Sequence, residues 1–171
     1  MKSWEGKLCF PHFRDWLRDT ELHKEIVKME KQNRFRNERT AQAYIWSKLE
    51  EKISSMDFFN YHQLDVEIYG ADGSYPDLSI CEAMTNEEYF SRKENKTFFN
   101  SIHVWIELKH YPHDVKVSTA IRSALLEDLK KCNIHSARTN GDIYEAYLLI
   151  ICSGYGTFGG LIADLEQKAN Q

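Results

Sequence analysis

Apolar positions change their period several times along the chain, and each change marks an element. Over residues 10–32, Phe13, Trp16, Leu17, Ile26, Val27 and Met29 form a broken apolar stripe at helical spacing, with charges on the other faces. Through residues 37–55, Ala41, Tyr44, Ile45, Leu49 and Ile53 recur at steps of three and four, and Lys48 is the one polar entry in the stripe. Asn37 is suited to cap this second helix. The period then falls to two. Leu64, Val66 and Ile68 alternate with Asp65, Glu67 and Tyr69, and the run Gly70-Ala71-Asp72-Gly73-Ser74 closes that strand in a turn. A second short strand is expected over residues 77–81, and residues 84–100 read as a loop with room for a short helix. Residues 101–109 alternate again and predict a third strand. A helix is expected over 117–136, with Ile121, Leu125, Leu129 and Cys132 on one side. The nearly unbroken apolar run 144–152 predicts a strand covered on both faces. A Gly-rich loop at 154–160 and a short helix over 161–168 complete the chain.

This order of elements describes an α/β fold, a mixed central sheet flanked by helices. A chain of 171 residues suits one domain. Residues 1–36 form an N-terminal helical extension, 37–153 the core, and 154–171 the Gly-rich loop and C-terminal helix. No window reaches the roughly 18 unbroken apolar residues of a spanning helix, so no membrane partner is expected. The first seven residues lack the apolar stretch of a secretory signal. Cys9, Cys81, Cys132 and Cys152 form no CxxC pair. Reduced, mostly buried thiols in a cytoplasmic protein are the expectation.

Charge alters the picture only locally. The net charge of −4 argues against binding nucleic acid by bulk charge. Residues 1–52 nevertheless hold 12 Lys/Arg against 9 Asp/Glu, a net +3, while the remainder holds 10 against 17, a net −7. The densest basic stretch, residues 31–39, contains Arg34, Arg36 and Arg39. It reads either as a solvated helix end and loop or as a phosphate-contacting patch.

Three charged residues stand where a buried sheet would carry apolar ones. Asp77 follows Tyr75-Pro76 at the head of the second strand, and Glu107 and Lys109 lie near the end of the third. Strand alternation puts Glu107 and Lys109 on one face and Ile106 and Leu108 on the other. Two carboxylates and a lysine on adjacent strands can hold a hard divalent cation and orient a water beside it. Separately, each residue has an ordinary explanation, since an exposed i, i+2 ion pair and an Asp in a turn are both common.

Taken together with the element order, Pro76-Asp77 and Glu107-Leu108-Lys109 resemble the two half-motifs of the PD-(D/E)XK nuclease superfamily. The resemblance covers roughly residues 37–153. It implies a restriction-endonuclease-like core of order α-β-β-β-α-β with an extra N-terminal helix, and a Mg²⁺- or Mn²⁺-dependent endonuclease acting on DNA. It further implies that Asp77, Glu107 and the main-chain carbonyl of Leu108 ligate the metal. Glu38 would bind it directly or through a water, Lys109 would orient or deprotonate the attacking water, and Gln42, one helical turn after Glu38 on the same face, would be a supporting residue. Arg34, Arg36 and Arg39 would contact substrate. The acidic balance implies a homodimer or a DNA-targeting protein partner. A catalytically silent subunit of the same fold, acting as a protein- or nucleic-acid-binding module, is the alternative.

Other signals rank lower. The run 153–159 contains GxGxxG after a strand, yet too few residues follow for a dinucleotide fold, and a flexible loop near the site is the better reading. His110 and His113 lack zinc-ligand partners nearby and read as surface or supporting histidines, with His110 facing away from Lys109. Lys130, Lys131 and Arg122 read as a solvated helix face. Tyr44, Trp46 and Tyr147 read as packing residues. Trp105, on the Glu107 side, packs under the second helix or lines the cleft.

Overall fold

The computed structural model describes residues 15, 17–54, 62–66, 73–96, 102–112, 115–137, 145–152 and 155–169. Its elements are α1 (Thr20–Lys31), α2 (Glu38–Ser54), β1 (His62–Asp65), β2 (Leu78–Glu82), α3 (Asn86–Asn95), β3 (Ile102–Tyr111), α4 (Thr119–Ala137), β4 (Glu145–Cys152) and α5 (Tyr155–Ala169). The strands form one sheet of order β1-β2-β3-β4. β1–β2 and β2–β3 are antiparallel, and β3–β4 is parallel, with α4 in the connection. This is the mixed sheet flanked by helices that the periodicity predicts. No helix among the described residues is long and apolar enough to cross a membrane.

The sheet carries an apolar layer on each face. Leu78, Ile80, Val104, Ile106 and Leu108 pack with Phe35 and with Ala41, Ile45 and Leu49 of α2. On the opposite face Trp105 packs with Cys81, Ile102 and Cys132, and Leu125 and Leu129 of α4 meet Leu161 and Leu165 of α5. A register shift between β2 and β3 brings Ile102 to the same face as Trp105 despite their odd spacing. Lys48 remains in the α2 stripe because Glu25 of α1 meets its ammonium at 3.0 Å. Tyr44, Trp46 and Tyr147 pack against the first layer, as expected.

Several boundaries differ from the sequence reading, each for a local reason. The helix expected over 10–32 is interrupted at Asp19, whose extended backbone and carboxylate, accepting from Glu21 N at 2.7 Å, start α1 afresh; Phe13 and Trp16 lie outside the described residues. The α2 cap is as predicted, with Asn37 Oδ1 accepting from Thr40 N at 2.9 Å. β1 stops at Asp65, and Val66 is a bend left 44% exposed. The Asp65 carboxylate accepts from Val66 N at 2.9 Å, a local bond that competes with the ladder; Glu67, Ile68 and Tyr69 lie outside the described residues. The polar segment after β2 holds a full helix, α3, started by a capping box between Thr85 and Glu88. β4 is an edge strand covered on both faces but mostly half-buried, only Ile151 being fully enclosed. α5 begins at Tyr155, so Gly156, Gly159 and Gly160 are helical rather than part of a loop. That excludes the flexible-loop reading for residues 155–160.

Candidate active site

The register places Asp77 beside the charged pair of β3. Leu78 pairs with Ile106 in an antiparallel ladder, so one step back sets Asp77 opposite Glu107. The Asp77 carboxylate accepts a hydrogen bond from Leu108 N at 2.7 Å, the amide between Glu107 and Lys109. Gln42 of α2 donates to the Asp77 carbonyl at 2.5 Å, so its contact within the cluster is with the backbone of Asp77. Glu38, in the first turn of α2, meets Lys109 Nζ at 3.3 Å. The four residues singled out from the sequence, Glu38, Asp77, Glu107 and Lys109, therefore converge at one end of β2 and β3. Arg34, Arg36 and Arg39 are exposed on the turn leading into α2 and on its first turn.

Two residues of α4 complete the cluster: Asp128, which the sequence reading did not single out, and Lys131, which it placed on a solvated face. Asp128 Oδ2 stands 3.7 Å from Lys109 Nζ, and its Oδ1 accepts from Lys131 Nζ at 3.0 Å. Lys131 also approaches Glu107 at 4.0 Å. Lys131 is thus part of the site and not a solvated face, whereas Lys130 pairs with Glu127 and Arg122 with Asp164 on the surface. Asp128 was legible as an anomaly. It falls three residues after Leu125 and four before Cys132, on the stripe that α4 buries. Trp105 is fully buried, packs against Cys132 of α4 rather than under α2, and donates its Nε1–H to Glu107 at 2.8 Å.

Burial shapes the electrostatics. Desolvation pushes the Glu107 carboxyl up to about 7, against the opposing effects of Lys131 and of the Trp105 hydrogen bond. Asp77 is also raised, chiefly by desolvation, which outweighs the Leu108 amide and the Lys109 charge. Burial alone would lower Lys109, but the carboxylates of Asp128, Glu38 and Asp77 more than offset it, so Lys109 lies above an ordinary lysine. It enters the site as a cation with three donors. With Glu107 ionised, four carboxylates against two ammonium groups give the cluster an excess of two negative charges; with Glu107 protonated the excess is one.

On the opposite face of β3, His110 is buried against Glu30 of α1 at 2.9 Å and against the edge of Phe35. It faces away from Lys109, as the alternation predicts, but is a core residue and not a surface one. Cys81 and Cys132 are buried free thiols pushed up to about 12 by desolvation, and Cys152 is half-buried; Cys9 lies outside the described residues.

The donor set is of the chemical type that a hard divalent cation takes. It is all oxygen and, with Glu107 ionised, carries excess negative charge. Among the described residues no three His, Cys, Asp or Glu side chains are already grouped as such an ion would need. A scan against protein-family models found no match for this chain, nor did searches of curated proteins and of solved structures.

Proposed function

We propose that the chain is a metal-dependent nuclease hydrolysing phosphodiester bonds in DNA, on a core of the restriction-endonuclease-like type. The observation that carries the reading is the 2.7 Å hydrogen bond from Leu108 N to the Asp77 carboxylate, which seats one acid between Glu107 and Lys109. The strand order, with an antiparallel β1-β2-β3 and β4 parallel to β3, supports the same core.

Asp77, Glu107, Glu38 and the main-chain carbonyl of Leu108 would hold Mg²⁺ or Mn²⁺. When bound, the ion supplies a Lewis acid for a phosphate oxygen and makes a coordinated water more acidic. The chain's own groups do the rest. Lys109 donates hydrogen bonds that orient the attacking water, and its charge offsets the negative charge that builds up on the phosphoryl oxygens. Trp105 fixes the rotamer of Glu107 through its indole N–H. Gln42 holds the backbone of Asp77 at the head of β2. Arg34, Arg36 and Arg39 offer cations to the substrate backbone beside Glu38. Three arginines neutralise few phosphates in a chain of net charge −4, so a second copy or a DNA-targeting partner would supply further affinity.

One observation favours a catalytically silent binding subunit instead: Glu107 is already engaged by Trp105 and Lys131. The deciding experiment is plasmid cleavage by the purified chain in Mg²⁺ or Mn²⁺, beside Asp77→Ala and Lys109→Ala variants whose folding is checked by circular dichroism. Cutting by the wild type that falls at least about 100-fold in each variant is the expected result. Cutting that survives both changes removes the site, and a wild type inert on duplex and single-stranded DNA and on RNA removes the activity.

A further inference from the structure

The geometry points to Asp128 as a positioning residue that holds the Lys109 ammonium, and through Lys131 the Glu107 carboxylate, from the α4 side of the sheet. This rests on the reading of Glu107 and Lys109 as reacting groups. Its first support is position. Asp128 shares the buried stripe of α4 with Leu125, Leu129 and Cys132, and its side chain is only 7% exposed. A leucine there would bury at no electrostatic cost, whereas a desolvated carboxylate costs several kcal/mol unless cations meet it. Both of its oxygens face cations: Oδ1 meets Lys131 at 3.0 Å and Oδ2 stands 3.7 Å from Lys109.

The second support is the shape of the network. A lysine is a point charge on a flexible four-carbon stem, and one carboxylate does not define its position. Glu38 holds Lys109 from α2, and Asp128 holds it from α4, a helix that packs on the other face of the sheet. Oδ2 lacks a hydrogen bond among the described residues, and at 3.7 Å its relation to Lys109 is purely coulombic. Its acceptor capacity is therefore still available to Lys109 when that side chain shifts toward the water it orients. Lys131 extends the same hold to Glu107 at 4.0 Å. Asp128 touches no reacting atom in this scheme and acts through the two lysines.

The test uses the full chain as wild type, Asp128→Asn, Asp128→Glu and the surface control Glu127→Gln, with two readouts. The first is the ¹H–¹⁵N signal of the Lys109 side-chain ammonium, assigned by its loss in Lys109→Arg. It is expected to be visible in the wild type and in Glu127→Gln, lost or broadened in Asp128→Asn, and partly restored in Asp128→Glu. The second is plasmid cleavage, where Asp128→Asn is expected to lower kcat by about 10- to 100-fold, as for outer residues that orient ligands, with KM within about twofold. A Lys109 signal and kcat unchanged in Asp128→Asn overturn the assignment, as does a wild type in which the ammonium gives no signal at all. A wild type that cuts nothing but whose Lys109 signal responds to Asp128→Asn leaves the positioning role standing and removes the nuclease. If Asp128→Asn does not fold, Asp128→Glu, which keeps the charge and displaces it by one methylene, is read alone. A partial loss in both readouts, the effect of displacing the charge, supports the role, and wild-type values in both refute it.

Discussion

Replacing Glu107 by glutamine should make the metal-free protein more stable, and only at neutral and alkaline pH. Burial raises the Glu107 carboxyl from 4.5 to about 7 in the folded chain. The side chain is 3% exposed, so little of that effect is screened by solvent. Between the unfolded and folded values the native state binds the extra proton. Stability therefore falls as pH rises from about 4.5 to about 7 and is level above that. At about 1.4 kcal/mol per unit, the charged carboxylate costs the native state roughly 3 kcal/mol at pH 8. Glutamine reproduces the protonated acid, since its carbonyl can still accept from Trp105 Nε1, and it never ionises. The assay is urea unfolding of wild type and Glu107→Gln from pH 4.5 to 8.5 in a chelator, followed by tryptophan fluorescence. The two stabilities should converge near pH 4.5 and differ by roughly 3 kcal/mol, in favour of glutamine, above pH 7.5. Saturating Mn²⁺ should then stabilise the wild type more than the variant, because only the wild type gains a partner for its carboxylate. A difference that stays constant across the pH range would refute the desolvation argument.

Gly160→Ala should raise stability by about 0.5–1 kcal/mol in thermal or urea unfolding, because Gly160 is helical and a β-carbon there meets nothing within 4 Å. Glu30→Ala should cost about 1–3 kcal/mol by leaving buried His110 without its partner, and a double-mutant cycle with His110→Ala should return most of that as coupling energy.

Part of the candidate site could be read directly from the chain. Alternation along 101–109 puts Glu107 and Lys109 on one face and His110 on the other, and both placements hold. Asn37 marks the start of α2, and that start fixes Glu38 in its first turn. The Thr85–Glu88 capping box was equally visible, but the polar composition of 84–100 outweighed it. In α5 the glycines speak against a helix locally. Leu161 and Leu165, packed on Leu125 and Leu129, override that preference, because burial of an apolar face is worth more than propensity.

By itself the sequence determined the periods, the order of the elements and the chemical types offered at the ends of β2 and β3, because these depend on neighbours a few residues apart. Only the tertiary structure decided that Asp128 and Lys131 belong with Glu107, that Trp105 lies under α4, and that burial lifts Glu107 toward neutrality. Those facts depend on which helix covers which face of the sheet and how much water that excludes, and neither is encoded in local spacing.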